Sequence, residues 1–281
     1  MQTVFLFEMI MKDFDAQSYW EQRLSSGPGI HKVGHLAYGY VFNAALYSLR
    51  KNLVNAVLKT LYIDFNPSAL SVLDIGCGTG FYLSLWQNFG VKEIHGIDFT
   101  QSSVDYCKKE FPECTVIKAD ISNEESLSSL GLYSCISVFD VLFHIVDDEK
   151  YNLAIKNIAS HLQDDGILLY SDNFLRYDTI REKHIVHRSL QQISEILTKN
   201  ELEIVKRQSM FYLMGYPIDM KSRFWGRLWN MFMYPVRKSE IIGAIYAMIL
   251  YPVEWLLIKI FKESPTTELM ICKKKARYTG P

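Results

Sequence analysis

From Ser71 onward, short β-branched apolar runs alternate with amphipathic stretches of helical spacing. Residues 71–75 read as a strand, a glycine cluster follows, and 81–89 read as a helix. The next strand is 93–97, then come a helix over 102–110 and a strand over 115–118. Strands over 134–138 and 166–170 flank a helix over 148–162. Strands alternating with helices of this length predict a mostly parallel sheet covered on both faces, because parallel neighbours require crossovers. Two segments stand outside the alternation. Residues 13–60 are helical in flavour, with a break at Gly27-Pro28-Gly29 and an amphipathic run from about Tyr40 to Leu61. Residues 216–264 are apolar, aromatic and proline-punctuated, and lie between strand-like runs at 202–210 and 268–272.

Composition narrows the classes. The 281 residues are 49% apolar and 22% charged, as in an ordinary globular protein. Thirty basic against 31 acidic side chains leave a net charge of −1, so no basic field exists to hold a nucleic acid. The five cysteines are scattered and form no Cys-x-x-Cys pair, which disfavours a disulfide framework or structural zinc and fits a reducing compartment. Residues 1–12 are apolar but lack a basic start and a small-residue cleavage site. They read as a terminus rather than a signal peptide, with Met9 and Met11 as alternative starts.

The strongest chemical signal is Val72-Leu73-Asp74-Ile75-Gly76-Cys77-Gly78-Thr79-Gly80. A buried strand here ends in closely spaced glycines before a helix, at the edge where open α/β sheets bind ligands. Without Cβ atoms the backbone can turn sharply and approach a ligand closely. A dinucleotide site asks for glycine at position 81, where this chain has Phe81, and no Lys-Ser/Thr pair follows to make a P-loop. Asp74 sits where a carboxylate repels phosphate and attracts an ammonium group. The loop therefore favours a nucleoside with a cationic tail. Asp98 closes the next strand and suits bidentate hydrogen bonding to ribose hydroxyls. Asp120 closes the third, where it can accept a hydrogen bond from an adenine amino group. Helix N-capping explains any one such aspartate. Three at consecutive strand ends are harder to explain that way.

With these residues the chain resembles the class I S-adenosylmethionine-dependent methyltransferases, on 74–80, Asp98, Asp120 and 139–144, over roughly residues 71–175. The resemblance implies an α/β, Rossmann-like doubly wound sheet of seven strands, six parallel and the last antiparallel. An N-terminal helical cap (1–62), a cofactor-binding core (63–215), a helical apolar insertion or lid (216–264) and the last strand with a tail (265–281) would make up the chain. It also implies S-adenosyl-L-methionine as methyl donor and S-adenosyl-L-homocysteine as product. Asp74, Gly76, Cys77, Gly78 and Gly80 would hold the methionine moiety and Asp98 the ribose. Asp120 with Ile121 would hold the adenine, Phe99 the purine face, and Phe139 completes the cofactor set.

The segment Val138-Phe139-Asp140-Val141-Leu142-Phe143-His144-Ile145 holds neither an Asn/Asp-Pro-Pro-Tyr sequence nor a Pro-Cys nucleophile, so both routes to nucleic-acid methylation lack support. It looks like the small-molecule branch, with an acidic residue and a histidine four apart, as in quinone and sugar O-methyltransferases. Some quinone enzymes carry Glu-x-x-Glu-His here and hold a divalent metal. This chain has Phe143 in place of the second carboxylate, and no metal is expected. His144 is the first candidate for the base that removes an acceptor proton. The bland reading packs it under the cofactor or against the Asp147–Asp148 turn. Asp172 is the runner-up. His184 and His187, beside Arg188, are expected to make surface or substrate contacts.

The insertion invites a membrane reading, since 241–261 carries only Glu254 and Lys259 as charges. In the implied fold the sixth strand ends at the edge where the seventh begins, and a single span would separate them across a bilayer. Pro252 also interrupts the run. Three readings remain: a lid packed on its own core, a hydrophobic acceptor pocket, and a monotopic surface. In the last, Trp225, Trp229 and Trp255 with Lys221, Arg223, Arg227, Arg237 and Lys238 would lie at headgroup depth. The N-terminal Tyr19, Trp20, Tyr38, Tyr40, Asn43, Tyr47 and Arg50 fall where this family covers the cofactor. None of these is expected to be catalytic. The stretch also resembles, loosely, bacterial methyltransferases of cell-surface saccharide assembly.

The sequence thus predicts a cytoplasmic methyltransferase acting on oxygen of a small or lipid-linked acceptor such as a saccharide hydroxyl, with peripheral contact at the inner membrane face through 216–264. Methylation of a quinone, polyketide or fatty acid at oxygen or carbon is the alternative. A non-catalytic adenosylmethionine-binding membrane adaptor is a second alternative, and a nicotinamide dehydrogenase is disfavoured by Phe81. Oligomeric state is not fixed by the sequence.

Overall fold

The computed structural model describes residues 15–25, 34–35, 37–62 and 66–275. The expectations for residues 1–12 and for the Gly27–Gly29 break lie outside them. Seven strands form one sheet in the order β3-β2-β1-β4-β5-β9-β8. They are β1 (Ser71–Ile75), β2 (Glu93–Asp98), β3 (Thr115–Lys118), β4 (Tyr133–Phe139), β5 (Leu162–Asp172), β8 (Leu202–Ser209) and β9 (Glu268–Lys274). A two-stranded ribbon, β6 (Ile180–Arg181) with β7 (Val186–His187), stands apart. Six strands of the sheet run parallel, and β9 lies antiparallel between β5 and β8. The implied sheet is therefore the observed one.

Every residue of β1 is buried because both faces of the sheet are covered. Alternate side chains serve opposite cores: Val72 joins Phe42, Leu49 and Trp86 on one face, Leu73 joins Ile155, Ile158 and Ile193 on the other. The first face is covered by α2 (Tyr40–Leu61), α3 (Phe81–Phe89) and the later α8 (Glu240–Ile260). The second is covered by α5 (Asp148–His161) and α6 (Leu190–Lys199). The sequence reading left α6 unmarked, although it buries Ile193 and Leu197 at helical spacing behind a Ser189 cap. Helix α5 ends at His161, and β5 starts earlier than the sequence suggested, because Leu162 pairs with Tyr133 across an irregularity. Asp165 absorbs that irregularity with φ of 62°.

Two helices complete the frame around the site. Helix α1 (Ala16–Ser25) docks on α4 (Gln101–Glu110), where the Glu21 carboxylate accepts from the Gln101 and Ser102 backbone N–H groups at 2.7 and 2.9 Å. This places an acid on the orphan donors of a helix start. Helix α7 (Arg223–Met233) precedes α8 in the insertion. Ser209 pairs with Glu268, so the insertion leaves and returns at adjacent points of one sheet. Helix α8 is the one described helix long and apolar enough to cross a membrane. It lies instead along α2: Tyr251 Oη meets Ser48 Oγ and Asn52 Nδ2 at 3.1 and 2.8 Å, and Glu240 caps the start of α2 through Tyr40 and Val41. The fully buried Glu254, at mid-helix, accepts from the Tyr212, Leu213 and Met214 backbone N–H groups.

Candidate active site

A cavity of about 450 Å³ opens at the carboxyl ends of β1 to β4. Strand order reverses between β1 and β4, and ligands of open α/β sheets bind at such a point. Gly76, Cys77, Gly78, Asp98, Phe99, Asp120, Ile121, Phe139 and His144 line it, so nine of the sequence-predicted residues converge on one wall. The loop needs its glycines for different reasons. Gly76, Gly78 and Gly80 all have left-handed φ, of 70°, 52° and 77°. A Cβ on Gly76 would strike the Val141 side chain, and one on Gly80 would strike the Phe111 ring.

Two predicted contacts need correction. Gly80 does not line the cavity; it starts α3 and makes room for Phe111. Asp74 is not on the wall either, and lies under the loop, 1% exposed. Its Oδ1 accepts from Ser137 Oγ at 2.6 Å, and Ser137 Oγ in turn accepts from Trp86 Nε1 at 3.1 Å. Asp74 Oδ2 has no hydrogen-bond partner. Burial pushes this carboxyl up to about 7, against the Ser137 hydroxyl and with a further push from Asp98.

Asp98 ties β2 to the loop. Its Oδ2 accepts from Gly78 N–H at 3.0 Å, and its Oδ1 from Thr100 N–H and Oγ1 at 2.9 and 2.7 Å. Burial still raises this carboxyl above its ordinary value, outweighing those bonds. Asp120 accepts from Ser122 N–H and Oγ through Oδ1, the local turn geometry expected of an aspartate after a strand. Phe139 stacks on Tyr82 with ring centroids 3.9 Å apart.

His144, Asp140, Tyr47, Arg50 and Tyr82 also line the cavity. His144 Nδ1 lies 3.3 Å from the His184 carbonyl oxygen and its ring packs edge-on to Trp20, centroids 5.0 Å apart. Nδ1 must carry the proton to donate to that carbonyl, which leaves the Nε2 lone pair free to accept. Burial lowers His144 to about 4, although the His184 carbonyl and Asp140 pull the other way, so the ring is neutral at physiological pH. Asp140, with φ of 58°, pairs with Arg50 and accepts from Ser171 Oγ at 2.8 Å. Among the described residues no cluster of three or more His, Cys, Asp or Glu side chains is grouped to hold a metal.

The runner-up base is turned inward. Asp172 is 1% exposed and does not line the cavity; its Oδ2 accepts from Tyr170 Oη at 2.7 Å. The surface expectation for His187 also needs correction. His187 is buried beside Asn173, and burial lowers it to about 4. The neighbouring Arg188 is buried over the Tyr151 ring and pairs with Asp148. His184 contributes its backbone carbonyl to His144. Of the N-terminal residues, Trp20, Tyr47 and Arg50 reach the cavity. Asn43 does not, and instead ties the start of α2 by donating to the His35, Tyr38 and Gly39 carbonyls. Asp15 and Gln17 of the α1 region, which the sequence reading passed over, also line the wall.

An adenosyl sulfonium fits these residues. The orphaned Asp74 oxygen beneath a Cβ-free loop, and five wall carboxylates (Asp15, Asp98, Asp120, Asp140 and Asp147) against Arg50 and Lys150, suit a cation and reject pyrophosphate.

Comparison with known proteins agrees. Residues 72–166 match the family described as the methyltransferase domain. A ubiquinone/menaquinone biosynthesis C-methyltransferase of Campylobacter jejuni is 33% identical over 36% of this chain and 43% of its own. A dTDP-3-amino-3,4,6-trideoxy-alpha-D-glucopyranose N,N-dimethyltransferase of Streptomyces venezuelae is 22% identical over 41% and 51%. A malonyl-(acyl-carrier protein) O-methyltransferase of Bacillus anthracis is 28% identical over 59% and 62%. The chain spans about half the length of the curated relatives it matches. Magnesium protoporphyrin IX methyltransferase of Synechocystis PCC 6803, solved with bound SAH, superposes with a TM-score of 0.53 at 15% identity, covering 95% of this chain and 99% of that one. An O-methyltransferase from a trans-AT PKS multienzyme of Brevibacillus brevis also gives 0.53, at 19% identity, over 84% and 78%. At such identities the fold is what is shared. Over residues 72–166 the chain is thus similar to the methyltransferase domain, and it shares its fold with solved methyltransferases.

Proposed function

We propose that the protein transfers a methyl group from S-adenosylmethionine to oxygen of a small or lipid-linked acceptor such as a saccharide hydroxyl. The observation that carries this reading is His144, whose Nδ1 faces a backbone carbonyl and whose Nε2 is left to accept, on the same wall as Gly76–Gly78 and Asp98. When bound, the cofactor supplies a methyl group on a cationic sulfur that needs no further activation. Gly76, Cys77 and Gly78 with Asp98, Phe99, Asp120, Ile121 and Phe139 would hold it, with Asp74 beneath the loop. The chain then has to orient the acceptor, exclude water and take a proton. Orientation alone can lower such a barrier by roughly 7–11 kcal/mol. Trp20 and Gln17 of α1 exclude water, and Gln17 Nε2 holds α1 in place by donating to the Phe99 carbonyl at 3.2 Å. His144 Nε2 receives the acceptor proton.

One observation favours a second acceptor class. With His144 lowered to about 4, its imidazole is a weaker base than a free one. That suits an acceptor that ionises more readily than a sugar hydroxyl, such as a quinol or an enolic polyketide. The insertion 216–264 supports delivery of either acceptor from a membrane, as a peripheral contact on the inner face of a cytoplasmic enzyme. The test is transfer of labelled methyl groups to pools of sugars, quinols and lipid extract, followed by mass spectrometry of the labelled product. Label in a sugar or lipid-linked sugar supports the first reading and label in a quinol the second. A protein that binds the cofactor and labels nothing contradicts both.

A further inference from the structure

The insertion holds a second cavity, of about 650 Å³, that shares no residue with the first. Its size falls within the range of small-ligand pockets, about 300–1,000 Å³. Helix α7 supplies Trp225, Leu228, Trp229, Met231 and Phe232, and Tyr246 of α8 closes the far side, its ring 5.1 Å from that of Phe232. Both charged side chains of the wall, with Trp229 and Ser264, are already committed, while Trp225 Nε1 and the Tyr212 and Tyr246 hydroxyls make none of the observed hydrogen bonds. Trp229 Nε1 donates to the Leu213 carbonyl at 2.8 Å, Arg176 pairs with Asp219 and Glu263, and Ser264 Oγ donates to the Phe211 carbonyl. A polar ligand would find few unpaired partners and no unpaired charge here, whereas an apolar chain would find aromatic and aliphatic walls.

The cavity opens onto an inverted helix. A helix on a globular protein normally turns its apolar stripe inward. In α7 the buried residues are Gly226 and Met233, while Phe224, Trp225, Leu228, Met231 and Phe232, which share the opposite arc, are exposed. Met231 is 68% exposed and Phe224 62%. Helix α8 adds an exposed stripe of Ile241, Ile245, Met248, Ile249, Leu256 and Ile260. Charge indicates what covers these faces. Every acid of the insertion is occupied: Asp219 and Glu263 with arginines, Glu240 on the start of α2, Glu254 on backbone N–H groups. Lys221, Arg223, Arg227, Lys238, Lys259 and Lys262 are exposed and make none of the observed ion pairs. Free positive charge beside exposed tryptophan and isoleucine is complementary to an anionic bilayer.

We propose that the cavity between α7 and Tyr246 takes one hydrocarbon chain of a lipid from an anionic membrane on which the insertion rests. The proposal deepens the membrane reading above and relies on it for the source of the chain. The chain would anchor the enzyme, or present a lipid-linked acceptor, apart from the methyl-transfer cavity.

The test has two arms. Trp225 and Trp229 line the cavity, while Trp20, Trp86 and Trp255 do not. A lysophosphatidylcholine with a brominated stearoyl chain, kept below its micelle concentration, is therefore expected to quench wild-type fluorescence saturably at one chain per protein. The Trp225→Phe/Trp229→Phe protein is expected to lose most of that quenching. In the second arm, flotation with phosphatidylglycerol-containing vesicles should exceed that with pure phosphatidylcholine. Each of Arg223→Gln and Arg227→Gln should weaken it about fivefold, the equivalent of about 1 kcal/mol per basic residue at a surface. Flotation without saturable quenching overturns the chain site and leaves the membrane contact standing. Quenching without flotation overturns the membrane as source and leaves the cavity a chain site. A dimer dispersed by Met231→Glu, with neither signal, assigns the face to a second copy and overturns both.

Discussion

Arg50 of α2 and Asp140 at the end of β4 form an ion pair on the wall of the cofactor cavity, and Asp140 holds the left-handed backbone that side chains rarely adopt. The Arg50 guanidinium also lies over the Phe211 ring at 4.9 Å. Burial opposes its charge, but the Asp140 carboxylate together with Tyr82 and Tyr47 outweighs it and raises the guanidinium above its ordinary value. The pair fastens α2 to the end of β4. Both partners are partly exposed on the cavity wall, so truncating one costs less than the about 3–5 kcal/mol of a fully buried pair. Arg50→Met is expected to lose about 1–2 kcal/mol in urea unfolding, and Arg50→Met/Asp140→Asn less than the sum of the single changes. Additive losses would show that the two residues do not act as a pair.

His144→Ala is expected to lower kcat by about 10²- to 10⁴-fold, the range of a lost general base, while leaving affinity for S-adenosylhomocysteine near that of wild type. The neutral ring is the working form, and it persists until the pH falls to about 4. The acid limb of kcat/KM should therefore lie well below the ordinary histidine value of about 6.5. A wild-type limb near that ordinary value, or a His144→Ala enzyme of normal kcat, would remove the residue from the mechanism.

Much of this arrangement was legible in the sequence because it depends on local pattern. Buried parallel strands are continuous apolar runs, and the glycine loop with an acid at each strand end is a contiguous signature, so β1 to β5 and nine wall residues were named without coordinates. What stayed hidden depends on which way a side chain turns. Asp74 and Asp172 occupy strand-end positions much like that of Asp98, yet both face the core. Of the N-terminal residues placed over the cofactor from the sequence, Arg50 reaches the cavity and Asn43 does not, a difference that spacing alone does not reveal. Helix α7 reads as an ordinary amphipathic segment, and the structure reverses the face that spacing alone would bury.

Asp172 makes stability fall as the medium becomes more basic. Burial raises it to about 7, against the hydrogen bond from Tyr170. The folded form keeps its proton while the unfolded carboxylate ionises near its ordinary value. Stability from this group is complete at low pH and is lost as the pH rises toward 7. The loss is on the order of 4 kcal/mol across that window. Asp172→Asn should therefore gain on the wild type as the pH is raised from about 4 to 7. His144 and His187, both lowered to about 4, work in the opposite direction in both proteins and cancel in the comparison. Denaturant curves whose difference stays constant with pH would refute this.

Glu254 fastens α8 to the 212–214 turn through three backbone N–H groups. Glu254→Ala orphans these donors, and each buried unsatisfied group costs about 1–3 kcal/mol. A loss of at least about 3 kcal/mol is expected in thermal unfolding, with Glu254→Gln retaining part of it. Burial raises this carboxyl above its ordinary value, so the wild type loses stability from this group as the pH rises and the glutamine variant should approach it most closely toward neutral pH. An alanine variant of unchanged stability would mean that α8 is held elsewhere.

The central claim is that the crevice at Gly76–Gly78 receives an adenosyl sulfonium, and calorimetry measures it directly. Titration of the purified protein with S-adenosylmethionine and with S-adenosylhomocysteine is expected to show one site for each, abolished or strongly weakened by Asp98→Ala, and no heat with NAD. Saturable heat with NAD and none with either sulfur compound would contradict the account.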